Sequence, residues 1–268
     1  MSTLEPPSDR QTLPGMHTPA HGDTATAWRE RHLLKNTLAA LAAIYVVSTA
    51  AYLVLAAHLA AGPGTVTAAA LALLAILALV IRALPGHDHR RFGPANIITV
   101  IRAAMVSFFG AAMIVGDVAT DSVPPVIILL VVIALALDGI DGYLARRTRL
   151  QSAFGGRFDM EVDALLILLL SVSALLLGKA GGWVLAIGLM RYGFVLAQTV
   201  LPFLKVPLAP SFRRKLICVV QVAALCLILL PGIVPPASTA IAAIALVLIS
   251  YSFAADVIHL ARQRFTTA

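Results

Sequence analysis

The chain has 268 residues, of which 60% are hydrophobic and 12% are charged, and its mean hydropathy is +0.92. Soluble domains carry about 25% charged residues, so the composition excludes an ordinary soluble protein and predicts a polytopic membrane protein. The net charge is +7, but the Lys and Arg residues lie between hydrophobic runs, as they do in the cytoplasmic loops of membrane proteins. We therefore expect a lipid bilayer around the chain and no nucleic-acid partner.

The hydrophobic pattern predicts an all-α fold, a polytopic membrane helical bundle. Continuous apolar runs of roughly 20 residues suit helices that cross a bilayer, whereas alternating runs would suit a barrel. The predicted spans are 37–61, 65–83, 97–117, 123–145, 160–178, 182–203, 215–231 and 237–260.

The polarity of the spans divides them into two groups. The first two contain almost no polar residues, whereas the next six contain most of the ionisable ones. We therefore expect a disordered cytoplasmic tail over 1–33, two accessory transmembrane helices over 34–92 and a six-helix core over 93–264.

The distribution of Lys and Arg predicts the orientation. These residues concentrate before the first span and after the second, fourth, sixth and eighth. Cytoplasmic loops carry this excess of positive charge. We therefore expect a multi-pass protein of the inner (cytoplasmic) membrane with both termini in the cytoplasm.

The segment LDGIDGYLARRTRLQSAFGGRFDMEVDA, residues 137–164, places four aspartates between two hydrophobic spans. Asp138 and Asp141 are spaced i, i+3 at the end of the fourth span, so they share a helix face. Asp159 and Asp163 are spaced i, i+4 at the start of the fifth span and share a face as well. Because the loop between the two spans is short, the helices should be antiparallel neighbours, and all four carboxylates can converge at the cytoplasmic edge.

Four like charges at one place repel each other, by about 4 kcal/mol for a pair 4 Å apart at an effective dielectric near 20. We expect these carboxylates to be unpaired within the protein and to be neutralised by hard divalent cations. Mg²⁺ suits sites that also hold phosphates, and two ions about 4 Å apart could clamp a phosphoryl group. A solvated, charged loop is the alternative, since Asp is favourable near a helix N-terminus in any case.

The spacing of the acidic segment resembles the signature of the CDP-alcohol phosphotransferase family, D-x-x-D-G-x-x-A-R-(x)8-G-x-x-x-D-x-x-x-D. GPANIITVIRA, residues 93–103, is similar to that family's entry into its first core helix. The signature positions are Asp138, Asp141, Gly142, Ala145, Arg146, Gly155, Asp159 and Asp163.

The resemblance implies an enzyme of phospholipid synthesis that moves a phosphatidyl group from a CDP-activated lipid to an alcohol and releases CMP. It implies metal binding by Asp138, Asp141 and Asp159, with two Mg²⁺ or Mn²⁺ ions as cofactors. Asp163 would deprotonate the acceptor hydroxyl while it also touches a metal. The residues that would face the CDP-lipid are Asp138, Gly142, Ala145, Arg146 and Gly155. We also expect a homodimer.

Basic residues in the later spans suggest a site for the acceptor alcohol. An arginine inside a span costs roughly 2.5–3.5 kcal/mol on insertion scales, so Arg191 should have an anionic partner. The motif aspartates are committed to metal, and Asp256 is the only other acidic candidate in the later spans. We expect a phosphate on the acceptor to bind Arg191 together with Arg213, Arg214 and Lys215, which open the seventh span. Snorkelling, a structural ion pair and topology anchoring are the alternatives for these cations.

A phosphorylated acceptor narrows the choice to molecules such as glycerol 3-phosphate or inositol phosphate. RRKLICVVQ, residues 213–221, resembles the K-x-K-T-x-x-Q stretch of phosphatidylglycerophosphate synthases. Lys215 and Gln221 match that stretch, whereas Ile217 and Cys218 stand where it has Lys and Thr. We expect glycerol 3-phosphate, with inositol phosphate or another polar alcohol as the alternative.

A membrane transporter is the alternative of a different class. Intramembrane Asp and Arg residues also mark solute and ion pathways, which lie near the bilayer midplane. Here the carboxylates gather at one end of two spans, beside an arginine and small residues, and this favours an enzyme.

Overall fold

The computed structural model describes residues 21–83, 93–116, 123–148, 153–206 and 211–266; within these ranges the side chains of 21–34, 141–146, 148, 153, 202, 205 and 264–266 are not described. Across the described ranges the secondary structure is helical and no strand occurs, which confirms the predicted all-α class. The α-helices are α1 (His21–His58), α2 (Pro63–Ala83), α3 (Pro94–Ile114), α4 (Pro125–Thr148), α5 (Ala153–Leu176), α6 (Leu185–Val200), α7 (Phe212–Ile228) and α8 (Ala237–Thr266). Two short 3-10 helices, Gly182–Val184 and Pro202–Lys205, flank α6.

Several of these helices can cross a bilayer. Five stretches of the described chain are long and apolar enough, namely Lys35–His58, Pro63–Ala83, Pro94–Ile114, Gly182–Val200 and Ala237–Gln263. The apolar part of α4, Pro125–Ile140, is shorter. The helices indicate a multi-pass membrane protein, while the division into six core helices and two accessory ones stays a prediction.

The first helix overlaps the stretch that was predicted to be a disordered tail. α1 begins at His21, inside the stretch 1–33 that was expected to be disordered, and residues 1–20 lie outside the described part of the chain. The predicted domain boundaries at 33, 92 and 264 fall within or between helices that the structure does not group into domains, so they stay predictions.

Local sequence explains where helices begin and end. A proline occupies the first position of α2, α3 and α4, where its missing N–H is not needed and its fixed φ suits the first turn. At the end of α5, Gly178 has a φ of +63°, and the N–H of Lys179 donates to the carbonyl of Ala174 at 2.9 Å. A left-handed glycine of this kind closes a helix and turns the chain towards α6.

The helix α3 lies at the centre of the bundle. It packs against α1, α2, α4 and α5, and it contributes the buried Phe108 and Phe109 to the core. The hydroxyl of Tyr52 in α1 donates to the carbonyl of Ala104 at 2.6 Å, and its ring stacks on Phe108 with centroids 5.3 Å apart. The first helix is therefore tied directly to α3.

Two glycines set the position of α5 between α3 and α6. A Cβ at Gly110 of α3 would lie 2.8 Å from the side chain of Leu169, and a Cβ at Gly188 of α6 would lie 2.5 Å from the Cα of Leu168. Small residues allow this close approach of transmembrane helices. The packing matters for the candidate site because α5 carries Asp159 and Asp163.

Candidate active site

The ends of α4 and α5 bring together three of the four predicted metal ligands. Asp138, Asp159 and Asp163 each offer a carboxylate oxygen, and these atoms lie within 4.8 Å of one another. The side chains are partly buried, with exposed fractions of 13%, 32% and 22% respectively. The side chain of Asp141 lies outside the described residues. The spacing argument therefore correctly places Asp159 and Asp163 on one helix face and Asp138 opposite them.

A buried arginine lies among these carboxylates, and it was not among the predicted site residues. Arg102 of α3 is only 1% exposed. Its Nη1 donates to Oδ1 of Asp159 and lies 3.3 Å from Oδ1 of Asp138, while its Nη2 donates to Oδ1 of Asp163. The expectation that the aspartates are unpaired within the protein is therefore wrong for these three. Arg102 could have been found from the sequence, because it is an ionisable residue inside a predicted span, in the stretch GPANIITVIRA.

The helix α7 also reaches the cluster. The thiol of Cys218 lies 3.8 Å from Oδ2 of Asp163 and is oriented to donate to it. Each oxygen of Asp163 thus has a neighbour, a guanidinium nitrogen on one and a sulfur on the other. Cys218 stands where the phosphatidylglycerophosphate synthase pattern has Thr, so the substitution lies beside the predicted base.

The predicted acceptor residue Arg191 has an acidic partner in the protein. Its Nη2 donates to Oε1 of Glu161, which lies on α5 between Asp159 and Asp163 in sequence. Residues two apart on a helix do not share a face, so Glu161 points towards α6 and away from the other two carboxylates. The expectation that Asp256 is the only acidic candidate for Arg191 is therefore wrong. The Nε of Arg191 is buried and has no hydrogen-bond partner among the described residues.

The other predicted acceptor residues lie on the first turn of α7. Arg213 donates to Oδ1 of Asp256 in α8, and Nη1 of Arg214 lies 3.6 Å from the same oxygen. The guanidinium of Arg213 also lies over the ring of Tyr251, 5.8 Å from its centroid. Lys215 is exposed. The structure therefore joins Arg213 and Arg214 through Asp256 and pairs Arg191 with a different carboxylate.

Gln221 is the other residue that matched the synthase pattern. It is fully buried, and its Nε2 donates to the carbonyl of Ala245 at 2.5 Å. This bond ties α7 to α8. In the structure Gln221 therefore serves the packing of the helices that carry Arg213 and Asp256.

The donor set suits a hard divalent ion. Three partly exposed carboxylates supply only oxygen ligands, which Mg²⁺ and Mn²⁺ prefer. Three negative charges against the single positive charge of Arg102 leave the cluster net negative. Of the predicted CDP-lipid residues, Asp138 and Gly155 lie in the described part of α4 and α5, whereas the side-chain positions of Gly142, Ala145 and Arg146 lie outside it.

Comparison with known proteins identifies the family. No curated protein and no solved structure matches the chain. The family model described as CDP-alcohol phosphatidyltransferase matches residues 92–252, a range that includes Arg102, the acidic segment and Arg213. This match covers more than half of the chain and all three helices that form the cluster. The chain therefore belongs to the CDP-alcohol phosphatidyltransferase family, whose members are phosphotransferases of phospholipid biosynthesis that use divalent metal ions.

Proposed function

We propose that this protein transfers a phosphatidyl group from CDP-diacylglycerol to glycerol 3-phosphate and releases CMP. The observation that carries the proposal is the convergence of Asp138, Asp159 and Asp163 within a chain that belongs to this family. A transporter would place its ionisable residues along a path through the bilayer. Here the acidic residues lie at the last turns of α4 and the first turns of α5.

The acidic segment would hold two divalent ions, Mg²⁺ or Mn²⁺, through Asp138, Asp141, Asp159 and Asp163. Bound there, the ions would offset the negative charge of the donor's diphosphate and of the departing CMP. The protein's own part is to fix the carboxylates in place. The close approach of α5 to α3 and α6 at Gly110 and Gly188 supports this, because it sets the position of the helix that carries two of the ligands.

Asp163 would be the general base. The acceptor hydroxyl oxygen forms a bond to the phosphorus of the phosphatidyl group, the bond from that phosphorus to the bridging oxygen breaks, and CMP leaves with that oxygen. The hydroxyl proton moves to the Asp163 carboxylate. Arg102 and Cys218 contact its two oxygens, so the hydroxyl would have to bind at a lone pair that these contacts leave free.

The CDP-lipid would bind along the end of α4 and the start of α5. Asp138, Gly142, Ala145 and Gly155 would leave room for the cytidine diphosphate, and Arg146 would pair with phosphate oxygens through its planar fork. A position at the membrane interface suits this reaction because one substrate is a lipid and one product is a soluble nucleotide. We place this interface, both termini and the site on the cytoplasmic side of the inner membrane.

The acceptor phosphate would bind Arg191, together with Arg213, Arg214 and Lys215. The buried Nε of Arg191, which has no hydrogen-bond partner in the described chain, supports this assignment because such a donor is costly unless a ligand satisfies it. The ion pairs with Glu161 and Asp256 would hold the guanidinium groups in position. Inositol phosphate offers the same anionic group and is the alternative acceptor, followed by another polar alcohol.

The wider architecture would be a six-helix core over 93–264 preceded by two accessory helices over 34–92, assembled as a homodimer. The family match begins at residue 92, which supports the first of these boundaries. The bond from Tyr52 to the backbone of α3 supports a bracing role for the first accessory helix.

One experiment tests the proposed reaction. Purified protein is given CDP-diacylglycerol, Mn²⁺ or Mg²⁺ and one alcohol at a time, and CMP release is measured with glycerol 3-phosphate, glycerol, inositol phosphate, inositol and serine. We expect glycerol 3-phosphate to give the fastest release. An uncharged alcohol as the best substrate would contradict the acceptor assignment, and no release with any alcohol would contradict the transfer reaction.

A further inference from the structure

The guanidinium of Arg102 engages the same carboxylates that would hold metal. The Arg102 guanidinium contacts the Oδ1 atoms of Asp138, Asp159 and Asp163. These are also the residues whose oxygens converge within 4.8 Å. The arginine therefore joins α3 to both α4 and α5.

A guanidinium and a divalent ion compete at this place. The guanidinium takes up lone pairs on Oδ1 of all three aspartates, so a metal ion would have only their remaining lone pairs. Two cations a few ångströms apart also repel each other inside a protein. The three aspartates are attached to helix backbones by short side chains, whereas Arg102 has a long, flexible stem. Of the two, the arginine is the group that can move.

We propose that Arg102 is a resident counter-cation of the acidic cluster, which divalent ions displace when they bind. Arg102 then has two effects. It stabilises the folded protein before metal binds, because it neutralises charge between three helices, and it weakens metal binding, because the ion has to break its contacts. Arg102 is in this sense a positioning residue, and the inference rests on the proposed metal site.

The direct test is a Mn²⁺ titration of the full-length protein, purified in detergent and stripped with EDTA, without any substrate. Free Mn²⁺ is measured by electron paramagnetic resonance. We expect Arg102→Gln to bind Mn²⁺ tighter than wild type, roughly tenfold or more, because it removes both a like charge and a competitor for the ligand oxygens. A residue that only supported the fold would leave the affinity unchanged or weaken it.

A second readout is thermal unfolding with and without Mn²⁺. In EDTA the Tm of Arg102→Gln should lie below that of wild type, because the carboxylates repel each other, and Mn²⁺ should raise the Tm of the variant by more than it raises that of wild type. Arg82→Gln is the matched control, since it removes the same charge from the exposed last turn of α2. Its Mn²⁺ affinity and its Tm response should equal those of wild type.

Each outcome decides the inference. A folded Arg102→Gln with unchanged or weaker Mn²⁺ affinity overturns it. A variant that folds only when Mn²⁺ is present supports it, because the metal then replaces the arginine. If the variant folds in neither condition, Arg102→Lys decides, since an ammonium keeps the charge but lacks the rigid planar fork of the guanidinium. Tighter Mn²⁺ binding by Arg102→Lys supports the inference, and weaker or equal binding, or a failure to fold even with Mn²⁺, overturns it.

CMP release by wild type separates this inference from the proposed function. If Arg102→Gln binds Mn²⁺ tighter than wild type does, but wild type releases no CMP, the inference stands and the proposed reaction fails. If wild type releases CMP while Arg102→Gln has an unaltered Mn²⁺ affinity, the reaction stands and the inference fails.

Discussion

Two buried cations at different places in the bundle are satisfied in opposite ways. Arg102 is 1% exposed and contacts three carboxylates on two neighbouring helices. Lys179, in the connection after α5, is 4% exposed and contacts only backbone: its Nζ donates to the carbonyls of Leu230 at 3.1 Å and Ile233 at 2.8 Å. One cation is thus held by carboxylates that could also bind a metal ion, and the other by backbone carbonyls of the loop that follows α7.

The partners of Arg102 and Lys179 distinguish a candidate metal site from a purely structural contact. The loop carbonyls satisfy the hydrogen-bonding needs of a buried ammonium and carry no net charge that calls for another cation. The carbonyl of Lys179 also accepts a hydrogen bond from the hydroxyl of Ser238 at 2.6 Å. The backbone of Lys179 thus contacts the start of α8, and its side chain contacts the loop between α7 and α8. Carboxylates repel one another and need a cation, but they do not specify which one. Burial alone therefore does not indicate function, whereas the partner of the buried group does.

Among substitutions in the carboxylate cluster, Asp159→Asn should have the largest effect on turnover and Mn²⁺ affinity. This substitution removes a proposed metal ligand and one of the partners of Arg102. We expect both turnover and Mn²⁺ affinity to fall, turnover by at least about 100-fold. Changing a residue that only supports a metal ligand costs up to about 100-fold, and a direct ligand should matter at least as much. CMP release and the Mn²⁺ titration measure the two quantities. Normal turnover with bound Mn²⁺ would remove Asp159 from the metal site.

Asp163→Asn should separate binding from chemistry. If Asp163 is the base, transfer falls on the order of 10²-fold or more, because proton removal by a positioned group contributes that much. Binding of the CDP-lipid should largely survive, and equilibrium binding of the nucleotide measures it. Cys218→Ser is the matched control, since it keeps a donor beside Oδ2 of Asp163 and should retain turnover close to wild type. Near-normal transfer by Asp163→Asn would mean that another group is the base.

Arg191 falls between the two cases because it pairs with a carboxylate but is partly exposed. We expect Arg191→Ala to raise the KM for glycerol 3-phosphate by roughly tenfold or more and to leave the KM for the CDP-lipid nearly unchanged, since the proposed site brings Arg191 into contact with the acceptor only. Glu161→Gln is the control that removes the partner's charge and keeps the cation, and it should raise the acceptor KM by less than Arg191→Ala does. Equal changes in both KM values would make the Arg191–Glu161 pair structural.

Lys179→Met should act on stability alone. It leaves the carbonyls of Leu230 and Ile233 without their donor, which costs on the order of 1–3 kcal/mol for a buried group. The Tm should fall, Mn²⁺ should not restore it, and turnover below the Tm should remain close to wild type. A loss of turnover in a folded Lys179→Met protein would contradict a purely structural role for Lys179.

Much of the fold follows from local sequence, because hydrophobic runs and prolines mark the spans. The start of α5 was placed at 160 and lies at Ala153, since Arg157 and the acidic residues interrupt the apolar run without interrupting the helix. The i, i+3 and i, i+4 spacings likewise place the aspartates, because helix geometry is local. The predicted span 37–61 largely coincides with the apolar stretch Lys35–His58, and α1 itself begins earlier, at His21, with polar first turns.

The partners of the charged residues could not be predicted in the same way. Arg102 is separated by 57 residues from Asp159 and by 61 from Asp163, so their contact depends on how α3 is rotated against α5. Gly110 permits the close approach of α3 to Leu169 of α5, but the local pattern of either helix does not specify the rotation. Glu161 was missed as the partner of Arg191 for the same reason, since the two residues are 30 positions apart and lie on different helices.

The central claim is that the carboxylates of α4 and α5 form a metal-dependent site of phosphatidyl transfer. The most direct test is CMP release by wild-type protein from CDP-diacylglycerol and glycerol 3-phosphate, first in excess EDTA and then as Mn²⁺ is added back in measured steps. The account predicts no release in EDTA and a rise that follows occupancy of the Mn²⁺ sites in the substrate-free titration. Full turnover in EDTA, with metal confirmed absent, would contradict it.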